Sequence, residues 1–528
     1  MKEVSVKAGE TRPDPLSPPG AVKEFQPFSG RQVRLLCMGY KAHPPSGPLL
    51  IGYDPEAELG EDHLARFIDA VVDAAPCPEA PTGPGQPGFH PRMLAKVSMY
   101  AYASGVHSSR RIEQNCHEHL AYMFLTREDR PCYHTISTAR VEFKEYFESI
   151  WLHLLGSAAI NGVTLLGRIA IDSTKFKANC SGDLIIEAED YEAVMARLRE
   201  HLEQAQKTDA REDAEGQSVK TQTGVSCKRL QMRVIIRNVG KPMPEGDTSA
   251  RMVRHMGQAL ETLAHAKENG LKHVSLSDPD ARMMPIGSSK AVGIGHMFEV
   301  AVDAGLVVAG GSCNSPTDTG HLKPLLEEAR KHDPVPITGV TADSGYYQGG
   351  TVAELLDTGL DVVVPDSTTA GAMRRAEPTE DPIEFTKIEG RDAYGCPNGN
   401  VLVLKERWER GGQKFSQYKA KNPCAGCPLA ERCLSKPDTK YRHVTIQERG
   451  LQLREYLDGF KKPDVRQKYL ARGPAVETVF GLLRTTMSFN RWTVRGEKRV
   501  ASEAELLKAS YQARKIHKSL GGKQYKAA

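Results

Sequence analysis

Apolar residues follow two periods along this chain, and the switch between them marks its parts. From Gly60 to Asp73 the apolar positions are Leu64, Phe67, Ile68, Val71 and Val72, the three-and-four spacing of one helical face. Arg92 to Ala103 predicts a second helix, and Ser104-Gly-Val-His-Ser108 breaks it. Ser109 to Leu125 predicts a third, with Ser108 as N-cap, and Thr135 opens a fourth that runs to about Leu155. The pattern then changes. The β-branched, apolar run from Val163 through Ile169 and Ile171 predicts a buried strand over 164–172 that ends in Asp172. A carboxylate at a buried strand end needs a cationic or metal partner.

A long charged stretch follows, read as an insertion at about 183–270. Leu184 to about Lys207 predicts a charged helix, Leu230 to Ile236 a strand, and Asp247 to Asn269 a helix closed by Gly270. Alternation then resumes. Strands are expected at Val274–Asp278, at His296–Val302 and Leu306–Gly310 around the turn Asp303-Ala-Gly305, at Ile337–Asp343 and at Leu360–Pro365. Helices are expected at Thr319–His332 and Thr351–Thr358. This order predicts an α/β fold with a mixed sheet flanked by helices.

Residues 366–470 are polar and break the pattern. Pro474 to Met487 predicts a helix that carries Glu477 and opens with proline in its first turn. A last helix runs from about Ser502 to Lys518. Before all of this, residues 1–60 show little periodicity beyond a short strand at Val33–Cys37. Six prolines between 76 and 91 read as a linker. The expected parts are therefore 1–91, an N-terminal segment and linker, and 92–160, a helical domain. Residues 161–365 are the first part of the α/β domain, 366–470 a polar insertion, and 471–528 the last part with a basic C-terminal helix.

Composition sharpens this picture at three points. At 528 residues, with 40% hydrophobic and 26% charged, the chain suits two to four globular domains. Its net charge of +4 is uneven, because residues 451–528 hold 17 Lys+Arg against 7 Asp+Glu. Such a region suits a polyanion or is simply a solvated basic face. The most apolar window, Ile150–Ile171, is broken by His153, Asn161 and Arg168, which argues against a membrane span. Met1-Lys-Glu-Val-Ser does not read as a secretory leader. Eleven cysteines in a chain of this length, seven scattered and four grouped between 396 and 433, do not resemble a disulfide scaffold, and fit a reducing cytoplasm.

Candidate chemistry lies in three places. Two helices joined by a short Gly-bearing turn resemble a helix-turn-helix, with Arg110 and Arg111 where such motifs meet bases; an ordinary bundle with surface arginines reads the same way. Asp172 and Asp343 close strands of one expected sheet, where open sheets place functional groups, and Glu477 stands on a helix. Three such carboxylates can hold two divalent cations roughly 3.5–4 Å apart. Oxygen ligands and a phosphate substrate point to Mg²⁺, with Mn²⁺ as a substitute. Lys175 and Lys177 follow Asp172 closely, within reach of a DNA backbone or of solvent. Asp278, before Pro279, reads as a turn former. Finally, Cys396, Cys424-Ala-Gly-Cys427 and Cys433 make a four-thiolate set with the bite of a structural Zn²⁺ site.

Taken in order, Ile171-Asp-Ser-Thr-Lys-Phe-Lys-Ala-Asn179, Thr341-Ala-Asp-Ser-Gly-Tyr346 and Val476-Glu-Thr-Val-Phe-Gly481 with Arg484 resemble the signature blocks of DDE transposases from bacterial insertion sequences. Gly60 to Ile68, the helical block ending near Arg140, Ser277-Asp-Pro-Asp-Ala-Arg282 and Arg491-Trp-Thr-Val-Arg-Gly496 are similar to the group with a helical N-terminal domain and a cysteine-bearing insertion. The likeness covers about residues 25–520. It implies an RNase H-like sheet interrupted before the last acidic helix, behind a helical DNA-binding domain. It implies Asp172, Asp343 and Glu477 as ligands of two Mg²⁺ or Mn²⁺ ions, and Arg484 on DNA phosphate. It further implies transposon ends and target DNA as partners, a homodimer on DNA and a bacterial, nucleoid-associated location. One departure stands out: the family usually carries Gly-Tyr-Asn where this chain has Gly295-His-Met297. A non-catalytic DNA-binding derivative, or a metal-dependent nuclease without strand transfer, remains the alternative reading.

Overall fold

The computed structural model describes residues 54–78, 88–127, 129–215, 232–237, 250–287, 291–374, 383, 385–410, 413–434, 439–447, 450–523 and 525–526. All belong to one compact unit, Asp54–Ala528. The strand expected at Val33–Cys37 lies outside the described residues.

The chain opens with helices α1 (Pro55–Glu58), α2 (Leu64–Ala74), α3 (Pro91–Ala103), α4 (Ser109–Glu118), α5 (Leu120–Thr126), α6 (Tyr133–Glu142) and α7 (Lys144–Gly156). Ser108 caps α4 as expected, accepting from Arg111 N. The helix expected over Ser109–Leu125 is two helices, because His119 is extended (φ −115°, ψ 123°). The bend lets α5 bury most of its length while α4 buries only Ile112 and Cys116. The helix expected over Thr135–Leu155 breaks likewise at Phe143. Gly105 turns between α3 and α4 at φ +79°, and a Cβ there would lie 3.4 Å from Thr486 O. The N-terminal helices thus pack directly onto the rest of the molecule.

Next come β1 (Arg168–Lys177), β2 (Ile185–Glu187), α8 (Tyr191–Glu215), α9 (Met232–Arg237), α10 (Ala250–Glu268) and β3 (His273–Ser275). Here α8, α9 and α10 close a separate small core around Leu198, Ile235, Met256 and Leu263. The strand expected over Leu230–Ile236 is instead the helix α9: a short apolar run fits either state, and Ile235 is buried from a helical face.

The central sheet follows: β4 (Arg282–Ile286), β5 (Ala291–Asp303), β6 (Leu306–Cys313), α11 (Leu322–His332), β7 (Gly339–Ala342), α12 (Gly349–Asp357) and β8 (Asp361–Val363). Its order is β4-β5-β1-β7-β8, with β6 also on β5. Strands β1, β7 and β8 run parallel, and β5 lies antiparallel to β1, β4 and β6. The expected hairpin holds, with Ala304 and Gly305 both at positive φ.

After α13 (Ser367–Arg374), the polar region builds its own five-stranded sheet from β9 (Thr386–Lys387), β10 (Ala393–Gly395), β11 (Val401–Arg410), β12 (Gln413–Ala420) and β13 (His443–Gln447), with α14 (Ala430–Cys433) beside it. The chain ends with α15 (Gly450–Asp458), α16 (Pro463–Arg484) and α17 (Glu497–Leu520).

The basic C-terminal helix is a core element. Along α17, Leu506, Leu507, Tyr511 and Ile516 are buried, and even Lys508 is 2% exposed, donating to Gly310 O at 2.6 Å. It packs on α3, α7 and β6. Asp278, expected as a turn former, is fully buried and serves this helix. Its Oδ1 accepts from Gly496 N at 3.0 Å while Asp280 Oδ2 accepts from Glu497 N at 2.8 Å. Carboxylates at a helix N-terminus satisfy free N–H groups and oppose the dipole. His296 Nε2 lies 3.1 Å from Asp278 Oδ2, and Met297 is wholly buried. The residues that depart from the family pattern are therefore packed in the interior.

Candidate active site on the central sheet

The parallel pairing of β1 with β7 ends at Ile171 opposite Ala342, so the next residues, Asp172 and Asp343, stand side by side. Asp172 does not close its strand: β1 continues to Lys177 because β5 stays alongside, from Val300 opposite Asp172 to Gly295 opposite Lys177. What ends at Asp172 is the parallel neighbour. A step of this kind leaves strand-end carboxylates open on one side while the backbone beneath remains pinned.

Asp172 is 25% exposed. Its Oδ1 accepts from Ser173 N at 2.8 Å and its Oδ2 meets Arg472 Nη1. Burial pushes the Asp172 carboxyl above the usual range; Arg472 opposes this and the neighbouring Asp343 adds to it. Asp343 caps the turn Ser344–Tyr346 and accepts from Tyr469 Oη at 3.0 Å. Burial disfavours charge on Arg472, but Asp172 and Asp343 outweigh it and hold the guanidinium firmly protonated. So α16 reaches both carboxylates through Tyr469 and Arg472, neither of which was expected as a site residue. Their i, i+3 spacing is a helical face, but the helix was expected to open at Pro474. It opens at Pro463 instead, and Pro474 lies inside it.

Glu477 lies further along α16, exposed, with Oε1 turned back to 3.6 Å from where a Gly473 Cβ would stand. It lines a cleft of about 480 Å³ with Ser173, Thr174, Lys175, Phe480 and Arg484. Arg484 donates to Thr174 Oγ1 and lies 5.5 Å from the Phe176 ring centre. Glu477 and Arg484 therefore share one face and one cleft. The oxygens of Asp172, Asp343 and Glu477 are not drawn into one tight knot. Among the described residues, the trio whose ligand atoms all lie within 4.8 Å of one another is Glu299, Cys313 and His321. A half-buried acidic pair balanced by one guanidinium nonetheless suits oxygen-seeking cations, which would relieve the repulsion between Asp172 and Asp343.

The other expected contacts divide. Lys175 Nζ is 3.4 Å from Asp318 Oδ1 and 3.3 Å from Ser173 Oγ, within the cleft wall. Lys177 is exposed at the end of β1, where its carbonyl accepts from Trp492 N. Arg110 and Arg111 are both exposed at the start of α4, with Arg110 4.8 Å from the Tyr133 ring centre.

The four insertion cysteines converge. Cys396-Pro-Asn-Gly399 and Cys424-Ala-Gly426-Cys427 each form a tight turn with glycine at positive φ. Sulfurs accept from backbone or amide N–H groups: Cys396 from Asn398 N, Cys427 from Asn398 Nδ2 and Cys424 from Arg442 N. Burial pushes the Cys433 thiol up, against Arg442, and the other three thiols add to it. N–H donors aimed at sulfur are what thiolate ligands require, but among the described residues no three of these sulfurs all lie within 4.8 Å of one another.

Two protein families match this chain. The family described as "Transposase DDE domain" matches residues 395–517, and "Transposase domain (DUF772)" matches residues 54–142. The first match contains Glu477, Arg484 and the four insertion cysteines, while Asp172 and Asp343 lie between the two. Both matched descriptions are of transposase domains, and the chain is similar to them over those residues. Each match covers less than a quarter of the chain. No curated protein matches it. Among the described residues no helix is long and apolar enough to cross a membrane.

Proposed function

We propose that this chain is a DDE transposase that binds the terminal inverted repeats of its element, cuts at the element ends and joins the freed 3′-hydroxyls to target DNA. The observation that carries this reading is the side-by-side placement of Asp172 and Asp343 under a helix that brings Glu477 and Arg484 to the adjoining cleft. The sheet order supports an RNase H-like core: three parallel strands beside an antiparallel strand, with a separate sheet inserted before the acidic helix.

Asp172, Asp343 and Glu477 would hold two Mg²⁺ ions, with Mn²⁺ as a substitute. Bound there, such ions supply Lewis acidity that activates a water or hydroxyl nucleophile and steadies the leaving oxygen. The chain does the rest. Arg472 balances the acidic pair until the site is filled. Arg484 grips a phosphate from the same helix face as Glu477. Lys175 and Lys177 lie along the path beside it, and Arg110 and Arg111 present a second basic face to the repeat. Joining two ends calls for two chains on DNA, and the working place is the nucleoid of a bacterial cytoplasm. The four insertion cysteines hold a Zn²⁺ that staples the small sheet.

The test is an end-bearing DNA fragment with Mg²⁺. Cleavage and joining by the wild-type chain, lost in Asp172→Asn and Glu477→Gln, support the proposal; activity surviving in either variant sinks it. Binding without cleavage in Mg²⁺ and Mn²⁺ would instead identify a non-catalytic derivative, and cut but unjoined ends a nuclease.

A further inference from the structure

A second constellation lies on the other face of β1. Glu299 on β5 pairs with Ser173 on β1 and with Gly311 on β6. Cys313 is two residues beyond Gly311, so Glu299, Cys313 and Ser173 project to one side, away from Asp172 and Thr174. His321 stands over them at the start of α11, with Nδ1 2.9 Å from Glu299 Oε2. The carboxylate, thiol and imidazole ligand atoms all lie within 4.8 Å of one another.

Glu299 and His321 are half-buried and paired with each other, and Cys313 completes the group from the neighbouring strand. Tyr346 is fully buried beside them, with Ser173, Asp318, Glu299 and Asp172 around its hydroxyl.

We propose that Glu299, Cys313 and His321 bind one transition-metal ion of the zinc class, apart from the ions of the catalytic cleft. One oxygen, one nitrogen and one sulfur ligand favour a borderline-soft cation over Mg²⁺. Three protein ligands leave a fourth position for water. Without the ion, Glu299 raises the His321 imidazole, while burial pushes the Cys313 thiol up to about 12, with Glu299 and Asp318 adding to it. Metal binding displaces a proton from sulfur, and from nitrogen where the imidazole is charged. The ion would tie the start of α11 to β5 and β6. Asp318 lies in the same connection and its Oδ1 accepts from Ser173 Oγ, so the ion also stiffens the strand residue next to Asp172. This site does not depend on the transposition reading, and its test needs no DNA.

The full-length chain with Cys396, Cys424, Cys427 and Cys433 all changed to Ser removes the competing four-thiolate set. Titrated with Co²⁺, it is expected to develop a thiolate-to-cobalt absorption band that saturates at one thiolate-bound ion per chain, whatever the carboxylate cleft takes up besides. Cys313→Ser in that background should abolish the band. Glu299→Gln and His321→Asn should weaken uptake by more than the roughly 10–100-fold known for outer-shell changes. Absence of uptake by a background chain with native circular dichroism, or equal affinity in Cys313→Ser, overturns the proposal. If the background chain does not fold, zinc content of the otherwise native chain decides. One equivalent fewer in Cys313→Ser supports the site, and an equal count overturns it.

Discussion

The central sheet and the insertion sheet are of similar strand number but unequal depth. The central sheet shares one continuous core with α3, α7, α16 and α17. The insertion sheet buries Phe385, Leu402, Tyr418 and Ala420, with the thiols packed at their margin. Depth lets the central sheet hold acids inside the protein, each with its own compensation. Asp303 accepts from Leu166 N at 2.9 Å and Gly167 N at 2.7 Å, Asp278 caps α17, and Asp172 has Arg472. A thin sheet has no such reserve, because the apolar area it removes from water is small. It therefore leans on its ladder hydrogen bonds. On the proposed reading, chemistry sits where the core is thick and a metal staple where it is thin.

The sharpest test of this contrast is Asp172→Asn. On the proposed reading, loss of this carboxylate removes several kcal/mol of transition-state stabilisation, or about a thousandfold in rate, while the fold should persist. A pH series adds a sign. The Asp172 pKa is raised in the fold, so its stability contribution is complete below the ordinary carboxylate value of about 3.9 and is lost as pH rises through the raised value. Metal-free wild type should therefore lose stability over that rise, and Asp172→Asn should lose less. Equal melting profiles across the range would break the link between burial and this carboxylate.

Core truncations come next. Phe298 is buried against Phe176 and Trp492, so Phe298→Ala should cost about 3–5 kcal/mol and lower the main melting transition. Leu402→Ala should instead release hydrogen exchange across β11 and β12 and leave the main transition in place. Cys424→Ser is expected to do the same while lowering zinc content by one equivalent. A single transition shifted by all three variants would mean that the two sheets do not differ as argued.

Much of the sheet could be read in advance. Alternation placed the β5–β6 hairpin, and the run ending at Ala342 placed Asp343, because buried strands announce themselves in apolar residues. Pairing could not be read. Only the register shows that Asp172 lies mid-strand and that the parallel neighbour is what stops there. Tyr469 and Arg472 were missed because Pro474 looked like a helix start, and proline serves in a first turn far more readily than inside. Ile235 shows the reverse failure, since a short apolar run carries no period long enough to decide between helix and strand. Glu299, Cys313 and His321 have no sequence signature, because cross-strand pairing and a helix start bring them together.

Smaller effects refine the comparison at the cleft and at the helical block. Arg484→Gln removes one expected phosphate contact from the deep sheet's edge. DNA affinity should fall evenly across sequences, and the slope of log affinity against log salt should lessen by about 1. Arg110→Gln tests the other basic face in the same titration, and an unchanged slope would remove α4 from the DNA path. The smallest effect is expected from Ser108→Ala. Its side chain accepts from Arg111 N at 3.5 Å, a long bond on an exposed cap, so the loss should be near the lower end of the roughly 0.5–2 kcal/mol range. Yet α4 carries Arg110 and Arg111 in its first turn, so fraying there should weaken binding to the repeat more than it lowers the melting temperature. If the melting temperature falls and repeat affinity does not, this helix is a strut of the shared core and not a reader of DNA.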